Sequence, residues 1–319
     1  MELPLRYVLW LKLQRIKVGP YGPRDFHVRE VPVMRLERNG KHAIFLLKKV
    51  NRTTLSVLKE ISSKCGIDLK EIGFAGMKDK CATSFQYISL PRSLALALEE
   101  VKLRNAKLTF VGYGRKIKLG KLVGNEFHIK LRLRDDEKRA RSVLEKFEKC
   151  ISDKLLPNYF GLQRFGRNLD NHLKGYELVK GMKSFRKERK ILKLYLHALQ
   201  AYLFNSALTS YINDFETPYR RKVKLVGYNT RLGRGMFDLY YRSILKELEL
   251  NPEEFHIPWL RLTAEERKRK AFVSPMNFSW KIREGLLELN FRLPPGSYAT
   301  ILLNELTIGF DPRYEVLTS

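Results

Sequence analysis

The chain has 319 residues, 44% of them hydrophobic, with 61 lysines and arginines against 34 acidic residues and a formal net charge of +27. So large an excess repels itself in a compact fold and calls for a polyanion, nucleic acid first and an anionic membrane surface second. No apolar run approaches the ~18–20 residues of a membrane span, and Cys65, Cys81 and Cys150 are too few and too scattered for a disulfide framework or a zinc site. The expectation is a soluble cytoplasmic protein without metal, membrane or obligate protein partner.

In chain order, residues 6–18, 26–33 and 42–50 alternate with period two and carry β-branched and aromatic residues, so they are expected as strands. Thr53 and Thr54 are N-cap candidates for a helix with Leu55, Leu58, Ile61 and Cys65 on one face and Gly66 at its end. GFAGMKDKCATSFQYISL (73–90) reads as a glycine-rich turn, a charged tip and a strand. A helix over 92–103, strands near 107–116 and 124–134, and a long helix from Asp135 and Asp136 to before Pro157 follow. Residues 184–212 read as mostly helical and 213–285 as mixed and weakly patterned, and a strand pattern returns from 286. The organisation expected is an α+β core, 1–183 and 287–319, interrupted by an insertion at 184–286.

Three segments carry candidate chemistry. In 73–90, Gly73 and Gly76 would permit backbone conformations closed to other residues and so place Asp79 on a turn. Lys78 and Lys80 flank it, and cations favour an ionised carboxylate, able to act as nucleophile or base. The plain alternative is a solvated Lys-Asp-Lys tip. In PNYFGLQRFGRN (157–168), aromatic rings beside amide and guanidinium groups suit a nucleobase, which offers a stacking face and hydrogen-bonding edges. The alternative is a loop whose rings cover the core. PPGSYAT (294–300) reads as a tight turn opening a helix. Basic clusters at 183–190 (Lys183, Arg186, Lys187, Arg189) and 267–270 (Arg267, Lys268, Arg269, Lys270) are candidates for RNA phosphates, or simply solvated helix faces.

These segments, in this order, resemble the TruD family of pseudouridine synthases. GFAGMKDKCATSFQ is similar to its catalytic G-x-K-D motif with a later Gln, here Gln86, and Asp79 falls on the motif's aspartate. KLGKLVGNEF, PNYFGLQRFG, HALQAYLFN, FRLPPGSYAT and RDFHVREV resemble five further signatures of the family. Cys81 and Asn304 depart from the residues common at those positions, and the insertion is short. The resemblance implies a pseudouridine synthase core, a mixed sheet with helices in circularly permuted order, carrying an inserted TRUD-type α/β domain. It implies isomerisation of uridine, at position 13 of tRNA, with Asp79 catalytic and no cofactor. Phe26, Asn158, Phe160 and Tyr298 fall where the family contacts the flipped uracil, and Lys17, Lys78, Gln86 and Arg164 are candidate supporting residues. tRNA is the implied partner, with other structured RNAs as a wider class. The rival readings are a non-catalytic RNA-binding or RNA-chaperone protein on the same fold, which needs no carboxylate at residue 79, and a methyltransferase, which needs a glycine-rich cofactor loop that the sequence lacks.

Overall fold

The alternation in RDFHVREV folds as strand β1 (Phe26–Pro32), in which Phe26, Val28 and Glu30 are buried and His27 and Arg29 face the other way. The computed structural model describes residues 9–78, 80–182 and 187–309. They form two compact units, one from 15–145, 275–296 and 307–309 and the other from 9–14, 146–274 and 297–306.

The first unit is built on a mixed sheet. Its strands are β1, β2 (His42–Val50), β3 (Thr83–Pro91), β4 (Ala106–Gly114), β5 (Leu122–Arg132), β6 (Met276–Arg283) and β7 (Leu286–Leu293). They lie in the order β6-β7-β5-β1-β3-β2-β4, with the short strand Gly73–Phe74 added against β3. β1 and β3 are parallel, and the other neighbours are antiparallel. Helix α1 (Thr54–Cys65) forms where the sequence capped it: Thr53 accepts from the Ser56 N–H at 3.1 Å, and Gly66 ends it at φ +64°. Its Val57, Leu58 and Ile61 close a core with Phe45, Leu47, Ile88 and Leu90.

The expected elements are redrawn at several points in this unit. The helix expected over 92–103 shrinks to a 3₁₀ turn and α2 (Ala95–Glu99). Only Ala95 and Leu98 of it are buried, and Leu96 is 82% exposed, so too little apolar contact exists to carry a longer helix. β6 lies inside the stretch read as weakly patterned, because one of its faces meets solvent and its Ser and Lys residues mask the period. The charges of Asp135 and Asp136 do start a helix, α3 (Glu137–Lys154): Asp136 accepts from the Arg139 N–H at 3.0 Å. Of the strand expected at 6–18, only Ile16–Lys17 forms among the described residues, parallel to Thr307–Ile308.

In the second unit, α4 (Asn171–Val179) packs on α5 (Arg189–Asp214), whose 26 residues are buried on several sides. Gly175 permits this contact, since a Cβ there would stand 2.3 Å from the Tyr195 carbonyl oxygen. α6 (Met236–Glu247) and α7 (Ala299–Leu306) complete the helices. The carboxylate of Glu305 in α7 accepts from the backbone N–H groups of Trp10 and Leu11 at 2.9 and 3.1 Å. The RKRK cluster is not a helix face but a strand, Arg267–Lys270, antiparallel to Lys222–Leu225. Of its four cations Arg269 is half-buried and the other three are exposed.

Candidate active site

In the sheet unit, the chain around residue 79 is held on both sides. The Gln86 side chain, fully buried in β3, donates to the Gly76 carbonyl at 3.2 Å and accepts from the Thr54 hydroxyl at 2.7 Å. The same Thr54 oxygen accepts from the Lys78 N–H at 2.9 Å. The Lys78 ammonium pairs with Glu30 at 2.6 Å, with the two side chains 4% and 0% exposed. Upstream, the Ala75 carbonyl accepts from the Gly120 N–H at 2.7 Å, and downstream Ala82 N–H donates to the Lys80 carbonyl at 2.8 Å. Asp79 itself lies outside the described residues.

The reason given for the two glycines changes. Neither Gly73 nor Gly76 has a positive φ. Gly73 is required by space instead, as a Cβ there would sit 2.4 Å from the Ser89 hydroxyl and 2.5 Å from the Ile117 carbonyl. Gly76 has only an ordinary 3.6 Å contact in that sense.

Phe26 is 1% exposed, between Tyr21 (ring centroids 5.8 Å apart) and Phe127 (6.1 Å). Lys17 has an exposed side chain, and its backbone N–H donates to Asp135 at 2.7 Å.

In the second unit, Asn158, Phe160 and Tyr298 come together. Asn158 follows the short strand Leu156–Pro157, and its N–H donates to the Ala271 carbonyl at 2.7 Å. Its side-chain oxygen accepts from Arg269 at 2.8 Å and from Ser297 at 2.9 Å, and its amide nitrogen donates to the Lys270 carbonyl at 2.9 Å. The amide is thereby fixed in orientation, with one N–H left for another acceptor. Phe160 is anchored by Asn205 of α5, which accepts from its N–H at 2.9 Å and donates to its carbonyl at 3.0 Å. Phe160 and Tyr298 stand edge to face, 6.4 Å between centroids.

Arg269 is the inward cation of the RKRK strand. It donates to the carbonyls of Asn158 and Tyr159 and stacks its guanidinium 4.0 Å from the Phe160 ring centroid. Burial lowers its pKa to about 10. It buttresses the aromatic site, whereas Arg267, Lys268 and Lys270 remain exposed. Arg164 lies 5.4 Å from the same ring on its own cation–π contact. Lys187 and Arg189 are exposed, and Lys183 and Arg186 lie outside the described residues. The sequence reading missed Glu30, Thr54, Asn205 and Ser297 as holders of the site. All but Thr54 stood inside quoted motifs, yet side-chain pairing across 24 to 139 residues leaves no local trace.

Two measurements follow from this geometry. A Cβ on Gly161 would lie 2.7 Å from the Tyr298 ring. Gly161→Ala must therefore displace that ring, and turnover should fall about tenfold to a hundredfold with little change in the unfolding midpoint; unchanged kinetics would deny Tyr298 a part in the reaction. His197, on α5, has its pKa lowered to about 4 from 6.5 by burial and by Arg164, Arg267 and Lys193. The unfolded chain takes up that proton first, so stability is complete above pH 6.5 and declines as pH falls towards 4. Urea midpoints at pH 7 and pH 5 should differ less in His197→Gln than in the parent protein.

Comparison with known proteins fits this arrangement. The family model described as tRNA pseudouridine synthase D (TruD) matches residues 21–187 and 220–306. The chain belongs to the TruD family. A probable tRNA pseudouridine synthase D of Pyrococcus abyssi is 30% identical, over 92% of this chain and 96% of that protein. The tRNA pseudouridine synthase D of Sulfurimonas denitrificans is 30% identical over 89% and 93%. A crystal structure of a TruD protein from Methanosarcina mazei superposes with a TM-score of 0.73 at 20% identity, covering 97% of each chain, and shares the α+β pseudouridine synthase fold. As a TruD member the chain is a tRNA pseudouridine synthase, an isomerase. The alignment with the Pyrococcus abyssi protein spans 395 positions, so that TruD protein carries stretches with no counterpart here. The TruD model leaves out 188–219, which covers α5.

Proposed function

We propose that this TruD-family enzyme isomerises uridine 13 of tRNA in the cytoplasm, with Asp79 as the catalytic carboxylate and no cofactor. The observation that carries the reading is the clamp on the residues just before Asp79, in which Gln86 holds Gly76, and Thr54 and the buried pair with Glu30 hold Lys78. The reaction breaks the C1′–N1 bond, turns the uracil and joins C1′ to C5; the C5 proton leaves to solvent and N1 takes up a proton in its place. No electrons or groups are exchanged with a second substrate. Asp79 acts either on C1′ or C6 as nucleophile or on the C2′ proton as base, and each route needs an ionised carboxylate.

The uracil must leave its stack, at a cost of a few kcal/mol. Phe160 and Tyr298 supply faces that offset it, at about 1–3 kcal/mol per stacked base, while Phe26 packs its ring between Tyr21 and Phe127 within the sheet unit. Asn158, fixed by Arg269 and Ser297, presents its remaining N–H to a base carbonyl. Most of segment 184–286 is the family's inserted domain, β6 being part of the sheet unit, and the exposed Arg267, Lys268 and Lys270, with Lys183, Arg186, Lys187 and Arg189, meet phosphates. Other structured RNAs are substrates where they present a similar extruded uridine. The non-catalytic reading gains nothing from the comparisons.

The position is tested with tRNA transcripts labelled with tritium at C5 of uridine. One tritium should be released per transcript, and none when residue 13 is cytidine; release from the cytidine transcript would move the target elsewhere.

A further inference from the structure

The sheet has a second usable face. β1 turns Phe26, Val28 and Glu30 to the side that holds Lys78, and His27 and Arg29 to the opposite side. On that opposite side a pocket of about 470 Å³ opens over β1, β3, β5 and β7. Its volume falls within the ~300–1,000 Å³ of small-ligand sites.

The strand register sets its side chains in two rows. His27, His128 and Asn290 form one, and Arg29, Glu126 and Arg292 the other. Phe85, beside Arg29 on β3, closes the end. The rings of His27 and Phe85 are 6.5 Å apart and those of His27 and His128 5.8 Å, both edge to face. Arg29 and Lys48 sit 5.7 and 5.8 Å from the Phe85 ring centroid. His27 Nε2 is bonded to the Arg24 carbonyl at 2.8 Å and His128 Nδ1 to Asn290 Oδ1 at 2.7 Å, which leaves one nitrogen on each ring and the Asn290 amide N–H groups for a ligand. Among the described residues Arg29 and Arg292 form no ion pair, and Arg292 Nε is buried with no hydrogen-bond partner among them. An arginine row facing an aromatic and amide row matches a phosphate joined to a planar, hydrogen-bonding ring. An acidic peptide would answer the charges but leave the ring faces unused.

We propose that this pocket is a second RNA-binding site. It takes one unpaired nucleotide of the substrate RNA other than the target uridine, its base against Phe85, His27 and His128 and its phosphate against Arg29 and Arg292. Glu126, between the two arginines, accepts from the ribose hydroxyls. The proposal rests on RNA being the substrate, but not on Asp79 or on position 13.

Arg29 is exposed, so Arg29→Gln changes the site without disturbing the fold. Steady-state kinetics on a tRNA transcript, with binding titrated against salt, should show KM raised about tenfold for Arg29→Gln combined with Phe85→Leu. The kcat should stay within twofold, and the slope of log affinity against log salt should become shallower by about one. Arg29→Lys should keep the salt slope of the parent. An unchanged KM and slope would overturn the proposal, as would a fall in kcat alone, which would mean that the sheet rather than RNA contact was altered. Failure of the catalytic assignment would be seen separately, as turnover persisting in Asp79→Asn.

Discussion

Asp79→Asn should lose at least ~10⁴-fold in turnover while tRNA affinity stays within a few-fold. Removing a single essential catalytic group typically costs this much, because the remaining groups cannot act without it. Affinity is carried by many phosphate contacts on a chain of net charge +27, and one carboxylate adds little to that sum. Asparagine keeps the shape and the hydrogen-bonding reach of aspartate but cannot act as nucleophile or base. The two readings are tritium release from C5-labelled tRNA and a binding titration on the same preparation. Turnover near that of the parent would end the assignment of Asp79, whatever the affinity.

Glu30→Gln should cost about 3–5 kcal/mol of stability, because it leaves the Lys78 ammonium without its counter-charge in a site where that side chain is 4% exposed. Its ion pair with Glu30 is desolvated, and the penalty of an orphaned buried charge exceeds the net worth of the pair itself. Replacing both residues by methionine should recover most of the loss, since an apolar pair of similar volume has no charge to desolvate. Turnover should not recover with it. Lys78 is the residue before Asp79, and without Glu30 its side chain loses the anchor that its backbone bond to Thr54 cannot replace. Urea denaturation of the parent, Glu30→Gln and the double variant, with kcat measured on each, separates the two effects. A single variant that loses less than ~1 kcal/mol, or a double variant with full turnover, would remove the pair from the positioning of the bend.

What the sequence could announce was local. A capped helix such as α1 is written in Thr53 and Gly66, and the strand at 42–50 in its alternation, because both are decided by residues a few positions apart. The motifs around Asp79, Asn158 and Tyr298 were legible for the same reason, each being a run of neighbouring residues.

The roles inside those motifs were not. Arg269 reads as one of four equivalent cations until strand pairing with Lys222–Leu225 turns it under Phe160, and Gly73 reads as a flexible turn residue until Ile117 is packed against it. Glu30 meets Lys78 across 48 residues, and Ser297 meets Asn158 across 139. Composition called for a polyanion, and the ordered short motifs carried the resemblance to the TruD family. Which charges are buried and paired, and which stay free for RNA, was decided only by the register of the sheet and the packing of α5, because desolvation depends on what covers a side chain and not on its neighbours in sequence.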